Sequence, residues 1–178
     1  MDKNIKTKMN DIFQIKIFYG NRSNEDFLIH NGFIPSRNPV DFMHLTLGIS
    51  KNDILAGQRT LVCHRLKMPV LARFRLFLKT GEKYPFEMDP LLLGFLRIFH
   101  MNKTDLDTWS SRNDEDLSMV LTASHGTFDE LDDQVVKFLS VRASLLVNSY
   151  PKDIDSRSLS VRRLLKSEKD ILQSYIMS

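Results

Sequence analysis

The stretch IFYGNRSNEDFLIHNGF, residues 17–33, decides how the rest of this chain is read. Phe13, Ile15, Ile17 and Tyr19 alternate with Gln14 and Lys16, the period of two expected of a half-buried strand. Gly20 breaks that strand. Ser23 is a good helix N-cap, and Asp26 three residues on resembles the second half of a capping box. The helix it opens is short, because Asn31-Gly32 is a natural left-handed stop; Phe27 and Leu28 are expected on its inner side. Such a segment can be an ordinary strand–turn–helix corner. It can also deliver a phenol and several backbone groups to one point, as an active site requires.

Outward from this stretch the chain changes character. Residues 1–11 are polar and read as a frayed lead-in, and residues 33–40, with Pro35 and Pro39, read as a loop. Met43, Leu45 and Leu47 alternate with His44 and Thr46, which predicts a second strand. Ser50 and Asp53 repeat the cap pattern before a helix expected over 53–66 and closed by Pro69. A third strand is expected over 74–78 and a loop over 81–85. Beyond Pro90, a favourable first helical residue after Asp89, the spacing is helical throughout. Leu91, Leu92, Phe95, Leu96 and Phe99 define one helix and 104–109 a short helical turn. Two longer helices follow over 130–150 and 158–176. The prediction is a mainly α fold preceded by a strand–turn–helix piece.

The 178 residues suffice for one domain, or one domain plus a piece of another. With 42% hydrophobic and 26% charged residues, composition is that of an ordinary globular protein. Net charge is only +3 and basic residues are interleaved with acidic ones, so no nucleic-acid stripe is expected. Arg162, Arg163, Lys166 and Lys169 cluster on one predicted helix, where Glu168 and Asp170 dilute them into a solvated face. Cys63 is the single cysteine, so no internal disulfide or multi-cysteine zinc site can form, and it reads as a small core residue. His44, His64, His100 and His125 lack metal-ligand spacing, and His30 reads as structural. Without a signal sequence or an apolar run near 18 residues, no membrane segment is expected. The expected location is cytoplasmic, with the nucleus as a further compartment.

The residues Phe18-Tyr19-Gly20, Arg22-Ser23-Asn24, Phe27, Ile29-His30 and Gly32-Phe33 resemble the end of a SET methyltransferase domain of the Rubisco large-subunit methyltransferase type. The resemblance continues through Leu47-Gly48-Ile49-Ser50-Lys51-Asn52-Asp53, Leu96-Arg97-Ile98-Phe99, Arg142-Ala143-Ser144-Leu145-Leu146 and Leu159-Ser160-Val161-Arg162, which are similar to that family's helical substrate-binding lobe. It implies two parts: residues 1–34 as the C-terminal remnant of a SET domain, and 35–178 as the helical substrate-binding domain. It implies S-adenosyl-L-methionine as cofactor and a protein as substrate. The branch it most resembles methylates a histidine of actin; relatives that methylate lysine are the alternative.

The resemblance also assigns roles. Tyr19 would be catalytic, orienting the acceptor nitrogen through a hydrogen bond from an uncharged group. Gly32, Phe33 and Ile34 would touch the cofactor, Phe33 as an aromatic wall. Arg22 would lie near the bound peptide. Each has a plainer reading: Tyr19 as a strand-end tyrosine, Arg22 as a loop ion-pair partner, Gly32-Phe33 as a helix stop followed by a core aromatic. The family's cofactor pocket also uses a glycine-containing loop and an Asn-His motif, neither of which this sequence contains. The chain is therefore expected to be a C-terminal portion, and a non-catalytic protein-binding module is the competing expectation.

Overall fold

The computed structural model describes residues 19–79, 88–122, 126–153 and 158–176. The strand expected before Tyr19 and the loop expected over 81–85 lie outside the described residues. In chain order the elements are α1 (Asn24–Asn31), β1 (Phe42–Gly48), α2 (Ala56–Arg65), β2 (Leu71–Phe77), α3 (Pro90–His100), α4 (Lys103–Ser110), α5 (Asp114–Ser118), a 3-10 turn (Met119–Leu121), α6 (Asp129–Ser149) and α7 (Leu159–Gln173). The mainly α expectation holds, with one small sheet.

Local chemistry sets most of the helix ends. Ser23 and Asp26 form the capping box: the Ser23 hydroxyl accepts from the Asp26 N–H at 3.0 Å, and the Asp26 carboxylate accepts from the Ser23 N–H at 3.2 Å. Gly32 closes α1 in the left-handed region, φ 74°, its N–H donating to the Leu28 carbonyl. Phe27 is buried as expected, whereas Leu28 is only half-buried. Asp89 caps α3, accepting from the Leu91 N–H, and Pro90 follows at the first helical position.

Three boundaries differ by three residues from the sequence reading, one of them the end of α7, at Gln173 rather than 176. Helix α2 begins at Ala56 rather than near Asp53, because Ser50 and Asp53 serve a preceding turn: Ser50 accepts from the Asn52 N–H and Asp53 from the Leu55 N–H. Strand β2 begins at Leu71 rather than Phe74, extended by pairing along the whole length of β1. That antiparallel ladder sets Phe42 opposite Phe77, Leu45 opposite Phe74 and Gly48 opposite Leu71. Met43, Leu45, Phe74 and Leu76 form its buried face.

Helix α3 is the axle of the lobe. Leu92, Leu93, Phe95, Leu96 and Ile98 are all buried, so it is apolar nearly all round, and the ring of Phe95 lies 4.9 Å from that of Phe74. Leu91, part of the apolar spacing of this helix, is exposed. The 3-10 turn crosses α3 at Gly94, where an added Cβ would collide with a Leu121 methyl. Arg97 is fully buried on this helix: Nε and Nη2 donate to the Asp132 carboxylate at 2.7 and 2.8 Å, and Nη1 donates to the carbonyls of Val120 and Thr122. Its guanidinium also lies over the Phe128 ring at 4.2 Å. One side chain thus joins α3, the 3-10 turn and α6.

Candidate functional site

Of the residues singled out around α1, Tyr19 and Phe33 share one aromatic edge over Phe27. Gly20 sits at φ 81°, a conformation that costs glycine little, and turns the chain out of Tyr19 toward the cap of α1. The Tyr19 ring then meets Phe27 and Phe33 edge-on, with centroids 6.1 and 6.2 Å away; Phe27 and Phe33 are 5.7 Å apart. Tyr19 is 40% exposed and Phe33 42%, while Phe27 is buried beneath them. Ile29, two residues from Phe27 along α1, is 66% exposed. The structure therefore brings Tyr19 and Phe33 together.

Gly32 serves this edge through its backbone turn, since its N–H is already bonded to Leu28. Ile34 is buried and lines a cleft with Asn24, Pro35, Asn38 and Asp41. Arg22 points elsewhere: its Nη1 donates to Asn31 Oδ1 at 3.1 Å, bracing the two ends of α1. It pairs with an amide, not with the carboxylate partner of the plainer reading. His30 is exposed at the end of α1. Cys63 is fully buried in the core, and burial pushes its thiol up to about 11, against a smaller lowering by Arg59.

Sequence reading missed the polar cluster behind this edge. Asn24, Asn38 and Asp41 meet Ser167 of α7 there, across separations as large as 143 residues. The only local signal was Asn38-Pro39 in a loop, which marks a turn but names no partner. A second feature, an apolar groove of about 360 Å³, lies between the end of β1, α3 and α6. Phe99, Phe138, Val141 and Leu145 line it, with Arg142 at its side; Val141 and Leu145 are exposed one helical turn apart.

The fold is shared with solved Rubisco LSMT structures. Rubisco LSMT bound to sinefungin and monomethyllysine matches with TM-score 0.67 at 22% identity, over 90% of this chain and 39% of that one. The SET domain of LSMT bound to lysine and AdoHcy matches with TM-score 0.69 at 21% identity, over 91% and 38%. The Rubisco LSMT substrate-binding family model matches residues 50–174, and the chain belongs to that family. It is 34% identical to the actin-histidine N-methyltransferase of Homo sapiens and 31% identical to that of Xenopus tropicalis, over 93% of this chain in both cases. The chain spans 29% of the human relative's length.

Proposed function

We propose that this chain is the C-terminal part of an S-adenosyl-L-methionine-dependent protein N-methyltransferase whose acceptor is a histidine of actin. Residues 1–34 would then be the end of the SET domain and 35–178 the substrate-binding lobe. The observation that carries the reading is the 34% identity to an actin-histidine N-methyltransferase along 93% of the chain, which includes the Tyr19 edge. Likeness to the lysine-bound LSMT structures concerns the fold, so lysine is the alternative acceptor.

The Tyr19 edge fits half of a cofactor and acceptor site. Phe33 offers an exposed aromatic face beside the left-handed turn at Gly32, and buried Ile34 supports the chain after it. These residues would form an apolar wall against the cofactor, which when bound supplies an electrophilic methyl group. The work left to Tyr19 is alignment. Its partly exposed phenol, braced by two rings, can hold a neutral nitrogen nucleophile in direction without adding charge. Arg22, braced against Asn31 through Nη1, would support α1, and its remaining guanidinium N–H groups could meet a bound peptide.

A non-catalytic, protein-binding role is the second reading, and the apolar groove with exposed Val141 and Leu145 favours it. Two measurements separate the readings. The chain joined behind the preceding SET portion of the human relative is incubated with actin and S-adenosyl-L-methionine, and methylated peptides are mapped by mass spectrometry. Methylhistidine supports the proposal, methyllysine alone moves the acceptor to the alternative, and no methylation from a fusion that binds the cofactor calorimetrically favours the binding module.

A further inference from the structure

We propose that Asp41 is the positioning residue of the Tyr19 edge, its carboxylate registering α1 and the rings it carries against the helical lobe. The proposal rests on the reading of Tyr19 as the phenol that meets the acceptor. Asp41 Oδ1 accepts from the Asn24 backbone N–H at 2.7 Å, at the first residue of α1, where the N–H has no partner inside the helix. Oδ2 accepts from Asn24 Nδ2 at 2.7 Å and from the Ser167 hydroxyl of α7. Asn24 Nδ2 also approaches Ser167 Oγ at 3.1 Å. Asn38 completes the clamp, Nδ2 donating to the Arg22 carbonyl at 2.8 Å and to Asn24 Oδ1 at 3.1 Å.

The residues on both sides of the N-cap are therefore fixed, and Ser23 between them is fully buried. A carboxylate suits the place: every polar atom aimed at it is a donor, and a helix N-terminus favours negative charge. From this clamp two short paths lead to the aromatic edge. Backward, Gly20 and Asn21 connect Arg22 to Tyr19. Forward, one turn of α1 brings Phe27 beneath the Tyr19 ring, and Phe33 follows the end of the helix. If α1 tilts on α7, both rings that brace Tyr19 move with it.

The test uses NMR on the full chain and needs no methyl transfer. Asp41→Ala should speed hydrogen exchange of the α1 amides by roughly tenfold more than that of the α3 amides. It should also remove cross-peaks between the Tyr19 and Phe33 rings. Ser167→Ala, a milder change, should give an intermediate acceleration even where Asp41→Ala fails to fold. The exchanged pair Asn24→Asp with Asp41→Asn keeps donors facing acceptors and should restore both signals. Unchanged α1 exchange with intact ring cross-peaks in Ser167→Ala and Asp41→Ala would overturn the inference. So would equal acceleration in α1 and α3, or a swapped pair no better than Asp41→Asn alone. If the fusion enzyme methylates nothing while these shifts occur, the catalytic reading fails and the clamp stands.

Discussion

Arg97 shows what a single residue contributes in this lobe. Its charge is fully buried, matched by a two-pronged Asp132 carboxylate and two main-chain carbonyls, so neither partner can be removed without orphaning the other. Asp132→Asn should lower unfolding free energy by about 3–5 kcal/mol in a denaturant titration, with Arg97→Lys also destabilising because lysine cannot reproduce the fork. Cys63 offers a contrasting prediction. With burial pushing its thiol up to about 11, it should stay protonated at neutral pH and resist iodoacetamide until the protein unfolds. Labelling under native conditions as fast as in denaturant would contradict that placement. The residue scale also marks where the sequence falls short. An arginine amid Leu, Ile and Phe in α3 signals something unusual, yet Asp132 lies 35 residues away and no spacing rule connects them.

At the scale of elements, the parts governed by neighbours within a few residues were legible. Ser23 with Asp26 and Asp89 with Pro90 cap as their sequence predicts, and α7 opens where its spacing begins, capped by Ser158. Where a capping residue has a competing local bond, the reading slips. Ser50 and Asp53 look like helix caps but organise a turn, delaying α2 to Ala56, and Asp53 also holds Arg59 at 2.8 Å. The start of β2 was misplaced because pairing with β1, not its own composition, extends it. The short α5 was not set apart within the region read as helical beyond Pro90; Asn113 caps it in an acidic run. The α1 cap gives a test at this scale. Ser23→Ala removes one half of the box and should cost about 1 kcal/mol, measured by chemical denaturation. A loss within error would mean that tertiary docking alone holds α1.

For the whole molecule, the junction of α1, β1 and α7 gathers Glu25, Asp41 and Glu168. Burial, followed by repulsion from Glu25 and Asp41, raises the Glu168 carboxyl above its ordinary value, against the lowering effect of the Tyr150 hydroxyl bound at 2.6 Å. A carboxyl raised in the folded state favours folding while protonated, and that contribution disappears as pH climbs through the raised value. Glu168→Gln, which keeps an acceptor for Tyr150, should therefore raise the melting temperature at neutral pH and lose that advantage near about pH 4. A melting temperature unchanged at neutral pH would contradict this account. The same junction shows why the Tyr19 edge was only half legible: Tyr19, Gly32 and Phe33 stand close together in sequence, but Ser167, which anchors the helix beneath them, does not.

The central claim is that the Tyr19 phenol orients a methyl acceptor, and kinetics of the fusion enzyme test it most directly. The ring is 40% exposed, so Tyr19→Phe should leave the melting temperature nearly unchanged. It should lower kcat by on the order of 10²-fold, the scale of a lost alignment, with little change in cofactor affinity. Equal kcat for both proteins, or a melting temperature that falls together with activity, would contradict the claim.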